Sequence, residues 1–305
     1  PQINICGFFN IKRVKTNQMK KNFNYLIAVF LISCISCEEK GPIIILEESQ
    51  IPLVDTSYIS GVPLNSVPAN ILFEEFSGVR CSNCPSGNEE THNIVIANPD
   101  RIVPVTVHSD FLAAPYENNQ DLRNQDANIL ANTLGPVGSK PSCFINRKVF
   151  NGQRLINSPS TWSGLVDNVL NEQSVVAINL EIVSFNLVDR SFRFKVTLEY
   201  AASATGHNLG FYITESEIIA EQLNLTVKID NYVHEYILRK SLTPVIGDPI
   251  TTFIETNTVI VKEFRVDLNE FDADNLWKME HMHLVAFIRQ SNDDIVNAAM
   301  IDLIP

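Results

Sequence analysis

Two cysteines separated by two residues, in Cys81-Ser82-Asn83-Cys84, constrain this chain more than any other feature. The pair comes directly after the apolar segment 71–76, which predicts a strand. Residues 85–97 have helical character, and their leading Pro85 is tolerated in the first turn of a helix. The sequence therefore places both thiols where a strand ends and a helix begins.

A pair of this kind on an alternating pattern of strands and helices is typical of thioredoxin-like redox sites. Backbone amides at a helix N-terminus stabilise a thiolate, so Cys81 is the predicted nucleophile, within reach of solvent, and Cys84 the predicted resolving thiol. Glu75 stands where thioredoxins keep a buried acid that assists proton transfer. Pro141 precedes a strand and is expected to be cis and to pack against the pair. These four residues form the predicted catalytic site.

Other interpretations of these residues stay open. The cysteine pair could be an inert disulfide that pins a loop. Glu75 could face solvent, since it neighbours Glu74 and one of the two is expected to point outward from a strand. Two thiolates and a histidine would suit Cu(I) or zinc, which makes His108 and Cys143 the alternative metal candidates. The simpler expectation is no metal and no cofactor.

The pattern of predicted secondary structure changes near residue 174. Residues 69–173 alternate predicted strands and helices, which indicates an α/β thioredoxin-like domain. Residues 174–305 contain about seven strand candidates, and 192–200 alternate apolar and polar side chains with a period of two. This second part predicts an all-β antiparallel sandwich of the Ig-like type. A length of 305 residues accommodates two such domains.

The N-terminal part predicts export. Residues 19–37 begin with methionine and two lysines, and the apolar run 23–32 that follows is too short to span a bilayer. A small residue before a cysteine at the end of such a run is typical of a lipoprotein signal peptide. Cys37 is the favoured lipidation site because acidic residues follow it, and Cys34 is the alternative.

The segments on either side of the signal peptide have separate interpretations. Residues 1–18 contain no methionine and are interpreted as an upstream, non-native extension. Residues 38–68 hold several prolines and predict a tether, with room for one strand at its end. The lipid anchor predicts a location at the outer membrane or cell surface.

The charge of the chain limits its partners. The formal net charge is -12, and an acidic surface repels phosphate backbones, so nucleic acid is not expected to bind. Disulfides persist outside the cytoplasm. The expected partners are therefore the membrane, through the lipid anchor, and protein thiols or disulfides.

Several segments together resemble a known family. They are Glu74–Gly78, Cys81–Pro85, Val105–His108, the stretch from Pro141 to Arg147, Tyr236–Arg239, Val285–Phe287 and Val296–Ala298. They are similar to the outer-membrane-protein-28-related lipoproteins of Bacteroidota. The resemblance covers most of residues 70–305 and implies an exported lipoprotein with a thioredoxin-like domain and a β-sandwich. Cys143 departs from the family pattern, and an extra thiol there could compete with the redox pair.

Two functions remain in view from the sequence. The first is a membrane-anchored protein for thiol–disulfide exchange. The second is a non-enzymatic surface lipoprotein for binding or adhesion, in which the cysteine pair is a structural disulfide. The sequence leaves open whether the protein is an enzyme.

Overall fold

The computed structural model describes residues 52–117 and 119–304. The predicted extension, the signal peptide with Cys34 and Cys37, and the first part of the predicted tether lie outside these residues. The described chain is mostly β-sheet with few helices. The helices are α1 (Cys84–Ala97), α2 (Gln125–Thr133) and α3 (Trp162–Val169). The strands are β1 (Asp55–Ile59), β2 (Val67–Pro68), β3 (Ile71–Ser77), β4 (Ile102–His108), β5 (Ser142–Ile145), β6 (Gln173–Ser174), β7 (Val176–Asn186), β8 (Ser191–Tyr200), β9 (Ala204–Thr205), β10 (Asn208–Glu215), β11 (Ile218–Asn224), β12 (Val227–His234), β13 (Ile237–Ser241), β14 (Asp248–Pro249), β15 (Phe253–Ile254), β16 (Thr258–Asp267), β17 (Met282–Arg289) and β18 (Ile295–Asp302).

The larger of two main sheets has eight strands. Its order is β18-β17-β10-β13-β4-β3-β5, and β14 pairs with β10. β4 pairs in parallel with both β3 and β13, whereas the other neighbours are antiparallel. β3, β4 and β5 come from the part of the chain predicted to be α/β, and the other strands come from the part predicted to be all-β. The sheet therefore crosses the boundary that the sequence predicts at residue 174.

The second main sheet is antiparallel, with the order β1-β16-β8-β7. Its apolar residues share a buried core with residues of β10 and β17 in the first sheet. The rings of Phe194 in β8 and Phe211 in β10 lie 5.0 Å apart, edge to face. The two sheets thus pack face to face in this part of the molecule. β1, which lies in the segment predicted as a tether, forms the exposed edge of the second sheet.

Strand β3, which leads to the cysteine pair, is covered on both faces. On one face the ring of Phe73 contacts Trp162 of α3 at a centroid distance of 5.5 Å. On the other face Leu72 lies in an apolar cluster with residues of α2. Every side chain of β3 is therefore buried, including Glu74 and Glu75. The expectation that one of these glutamates faces solvent is wrong, because that expectation assumed a sheet with one exposed face.

Two predicted elements are divided or shortened for local reasons. The apolar spacing over residues 121–134 predicts a helix there, but α2 begins only after Asn124, whose side chain accepts a hydrogen bond from the backbone amide of Ala127 at 2.7 Å. Residues 232–239 are one of the strand candidates in the sequence, but they belong to two strands, β12 and β13. They are separated at Tyr236, whose φ of 55° is not compatible with a continuous strand.

Strands β11 and β12 form a hairpin and, among the described strands, pair only with each other. The hairpin lies over the segment that carries the cysteine pair, to which it is joined by hydrogen bonds. No helix in the described part of the chain is long and apolar enough to cross a membrane.

Candidate functional site

The fold brings both cysteines to the start of α1. β3 ends at Ser77, a short turn follows, and the helix begins at Cys84. Cys81 and Cys84 form a disulfide with their Cα atoms 5.3 Å apart. Gly78 is required in the turn, because a Cβ there would lie 2.6 Å from the carbonyl oxygen of Leu112. As predicted, the strand is followed closely by a helix, and both cysteines lie at the first turn of α1.

Cys81 is less accessible than the sequence predicts. Its exposed fraction is only 4%, and Cys84 is fully buried. The expectation that Cys81 lies within reach of solvent is therefore wrong for this conformation. The reason is the hairpin: the side chain of Gln222 donates to the carbonyl oxygen of Cys81 at 3.1 Å, and the backbone of β11 runs alongside the motif.

Glu75 is buried beneath α1, where polar side chains of that helix contact its carboxyl group. The hydroxyl of Thr91 donates to its Oε2 at 2.6 Å. With its side-chain amide nitrogen directed inward, Asn88 donates both to Glu75 Oε1 at 2.7 Å and to the carbonyl oxygen of Cys84 at 3.2 Å. Burial raises the pKa of Glu75 from 4.5 to about 8, although the hydrogen bond from Thr91 opposes the increase. Asn88 thus connects the buried carboxyl group of Glu75 to the backbone of Cys84.

Pro141 lies against the same helix. The Lys140–Pro141 peptide bond is cis, as expected from the sequence, and the proline is buried. Helix α1 approaches it through Gly87, where a Cβ would lie 2.6 Å from Pro141 Cβ and 2.9 Å from Glu75 Oε1. A single glycine on the inner face of α1 therefore allows the helix, the proline and the buried carboxyl to meet.

This close approach predicts a specific loss of stability. Substituting Gly87 with alanine should lower the free energy of unfolding by about 1–3 kcal/mol, because the added methyl group must displace Pro141 or Glu75. Gly164 in α3 is the matched control, since nothing lies within 4 Å of its Cβ position. Gly164→Ala should stabilise by about 0.5 kcal/mol through helix propensity. Urea unfolding of both variants measures the difference, and equal effects of the two substitutions would contradict this packing.

Cys143 and His108, the alternative metal candidates, are not arranged as metal ligands together with Cys81 and Cys84. Cys143 is buried and faces Glu75 across β3 and β5; burial, and then the charge of Glu75, raise the pKa of its thiol. It therefore remains protonated and a poor nucleophile. The His108 ring is fully buried and packs edge-on against His234 at 5.5 Å. Residues 52–117 and 119–304 contain no group of three or more His, Cys, Asp or Glu side chains that could hold a metal ion.

Sequence reasoning missed three parts of this site. Asn88 and Thr91 could have been found from their spacing, because they follow Cys84 by four and seven residues on the face of α1 that contacts the sheet. Gln222 carries no local signal, since its role depends on a hairpin that returns from far along the chain.

The cavity beside the site lies between α1 and β12. It has a volume of about 380 Å³, and Glu75, Asn88, Thr91, Tyr232 and His234 are among its lining residues. The buried carboxyl group of Glu75 therefore borders a space large enough for several water molecules.

Comparisons with known proteins address the fold and the family. HBP35 of Porphyromonas gingivalis is similar in structure, with a TM-score of 0.64 at 19% identity over 79% of this chain and 77% of that chain. A protein from Agrobacterium tumefaciens gives 0.48 at 12% identity over 78% and 96% of the two chains. A domain of the outer membrane lipoprotein Omp28 from Porphyromonas gingivalis gives 0.28 at 10% identity over 43% and 88%. A search of curated proteins finds no match.

The similarity to HBP35 supports the overall fold. A sequence model of the family described as Outer membrane protein Omp28 matches residues 131–301, more than half of the chain. The match includes Pro141 and the hairpin, and it begins after the cysteine pair. The outer-membrane location predicted from the sequence is thereby confirmed, and the chain belongs to the Omp28 family of outer membrane proteins.

Proposed function

We propose that this protein is a lipid-anchored outer-membrane protein that performs thiol–disulfide exchange through Cys81 and Cys84. The anchor is the acylated thiol of Cys37, or of Cys34. The observation that carries the proposal is the buried carboxyl group of Glu75, connected through Asn88 to the carbonyl of Cys84. A disulfide that only pins a loop has no need of a buried acid beside it, since such an acid destabilises the fold once it ionises.

The arrangement around the pair supports a thioredoxin-like unit within residues 69–173. In chain order β3, α1, β4, α2, β5 and α3 alternate, with β3 parallel to β4 and antiparallel to β5. A further antiparallel bridge joins Cys143 of β5 to Ile156, which extends the sheet beyond β5. The four-stranded sheet packed on β10 and β17 supports an Ig-like sandwich as the second unit.

The chemistry follows from the positions of the two sulfurs. In the reduced protein, Cys81 as thiolate attacks a substrate disulfide; one substrate sulfur leaves as a thiolate and a mixed disulfide forms. Cys84 then attacks the sulfur of Cys81, the Cys81–Cys84 bond forms and the second substrate sulfur leaves. Glu75 in its ionised form accepts the proton of Cys84 and becomes the neutral acid, and the two electrons pass from the protein to the substrate. The reverse sequence oxidises a substrate dithiol.

The second candidate function is a binding or adhesion lipoprotein with a structural disulfide. The burial of Cys81 favours it, because an enclosed disulfide does not meet a protein substrate. The two functions differ in whether Cys81 can form a mixed disulfide in the folded protein.

Substituting Cys84 with serine should trap such a mixed disulfide. The variant lacks the thiol that resolves the adduct, so a dye-labelled peptide disulfide should remain bound to Cys81 in the native protein. Cys81→Ser is the matched control and should bind no peptide, since Cys84 is fully buried. Electrophoresis without reductant and mass spectrometry measure the adduct. Labelling of Cys84→Ser only after denaturation would support the structural disulfide and count against exchange.

A further inference from the structure

The hairpin of β11 and β12 closes the approach to the disulfide through hydrogen bonds to the motif itself. The backbone amide of Leu223 donates to the carbonyl of Val79, and that of Leu225 to the carbonyl of Ser82, each at 2.8 Å. The buried side chain of Gln222 donates to the carbonyls of Gly78 and Cys81, at 3.3 and 3.1 Å. The end of β11, with Leu225 after it, therefore lies along residues 78–82, which include Cys81.

Buried side-chain contacts hold the hairpin mainly at the end that joins the eight-stranded sheet. There Ile218 lies in a small cluster with Val79, Leu122 and Ile237, and the ring of its strand partner His234 packs edge-on against His108 at 5.5 Å. On the side of β12 the cavity of about 380 Å³ lies between the hairpin and α1, and the hydroxyl of Tyr232 donates a hydrogen bond of 2.9 Å to the side chain of Asn88 across it. A segment held by exchangeable hydrogen bonds, with little apolar burial, opens at a lower free energy than a strand of the core.

The ends of the hairpin have the geometry of hinges. Glu217, just before β11, and Tyr236, after β12, both have φ of 55°. This left-handed conformation is uncommon for residues other than glycine, so both connections gain freedom when the closed arrangement is released. The two positions lie at the ends of neighbouring strands, β10 and β13, which stay paired within the eight-stranded sheet.

We propose that the β11–β12 hairpin is a lid on the redox site, which turns about Glu217 and Tyr236 and controls access of thiols to Cys81. In the closed form the lid shields the disulfide. In the open form the Gln222 side chain leaves the carbonyls of Gly78 and Cys81, and the sulfur of Cys81 meets solvent. The biological use of the lid rests on the proposed function, whereas the lid itself is a property of the disulfide-bonded protein.

The reaction gated by the lid is reduction by an external thiol. A thiolate of the reductant attacks the sulfur of Cys81, the Cys81–Cys84 bond breaks, and the sulfur of Cys84 leaves as a thiolate that takes a proton. A second reductant thiolate then attacks the mixed disulfide and releases Cys81. Two electrons pass to the protein, and the reductant becomes a disulfide.

The test measures the rate at which dithiothreitol reduces the disulfide in the full-length protein and in two variants. Gln222→Ala removes the side-chain amide that bridges Gly78 and Cys81, and should increase the rate of disulfide reduction about tenfold. Val233→Thr changes an exposed residue of the same hairpin and should leave the rate unchanged. Alkylation and mass spectrometry follow the appearance of the Cys81 and Cys84 thiols.

Hydrogen exchange of the unsubstituted protein supplies a measurement that needs no variant. The amides of Leu223 and Leu225 should exchange together, and faster than that of Leu284 in β17, which is paired on both sides within the eight-stranded sheet. In Gln222→Ala the two amides should accelerate by the same factor as the reduction.

The outcomes separate the lid from the proposed function. Exchange of Leu223 only at the rate of Leu284, or equal reduction rates in Gln222→Ala and the unsubstituted protein, would overturn the lid. A protein that meets both lid expectations while Cys84→Ser traps no peptide disulfide would keep the lid and remove the exchange activity.

Discussion

Substituting Glu74 with alanine should lower the free energy of unfolding by about 3–5 kcal/mol, because it leaves a buried guanidinium without its counter-ion. Glu74 and Arg147 are both fully buried, and the two side chains share hydrogen bonds of 2.8 and 2.7 Å. Arg147 also donates to the hydroxyl of Tyr212 at 2.8 Å. The ion pair therefore connects β3 to β10, across the boundary that the sequence predicts between two domains.

Two further variants make this result specific. Replacing both partners with apolar side chains, as Glu74→Leu with Arg147→Met, should recover most of the loss, since no isolated charge remains. Asp121→Asn breaks the half-exposed pair with Arg123 and should cost no more than about 1 kcal/mol. Urea unfolding measures all of them. A loss below about 1 kcal/mol for Glu74→Ala would contradict a closed, desolvated pair.

The neighbouring glutamate should make stability depend on pH. Glu75 has a pKa of about 8 in the folded protein against an ordinary 4.5, since burial disfavours its charged form. Its contribution to stability is fully present below about pH 4.5 and is lost as pH rises through about 8, because the unfolded chain ionises first. At about 1.4 kcal/mol per pH unit, the total loss is about 5 kcal/mol.

Glu75→Gln removes the ionisation and should flatten this dependence. The free energy of unfolding of the variant, relative to the unsubstituted protein, should therefore increase steadily between about pH 5 and pH 8. Urea unfolding at intervals of one pH unit measures the difference. Glu89→Gln, an exposed substitution on α1, is the control. A plot of its free energy of unfolding against pH should run parallel to that of the unsubstituted protein. Parallel curves for Glu75→Gln would mean that the carboxyl group is already ionised in the folded state.

Local patterns predicted the elements that carry the cysteines. The apolar run 71–76 is β3, and the proline after Cys84 marks the first turn of α1. The period of two at 192–200 corresponds to β8. These signals are local, since they depend on side-chain alternation and on the geometry of proline within a few residues.

The burial of the site residues and the order of the strands depend on contacts between residues that are far apart in the chain. The burial of Glu74 depends on Arg147, and the burial of Cys81 depends on Gln222, which is polar and lies in a short, unremarkable strand. The place of β13 beside β4 likewise depends on a pairing between Ile237 and Thr106, far apart in the chain. Such pairings follow from the packing of the whole fold, and the periodicity of one segment does not predict them.

The position of β13 makes the segment that carries the cysteines dependent on the second half of the chain. β4 has β3 on one side and β13 on the other, and the backbone amide of Thr106 donates to the carbonyl of Tyr236 at 2.7 Å. A polypeptide truncated after residue 173 would therefore leave one edge of β4 unpaired. The surroundings of Cys81 and Cys84 are completed only when residues 237–241 have paired with β4, which places this step late in the folding of the exported chain.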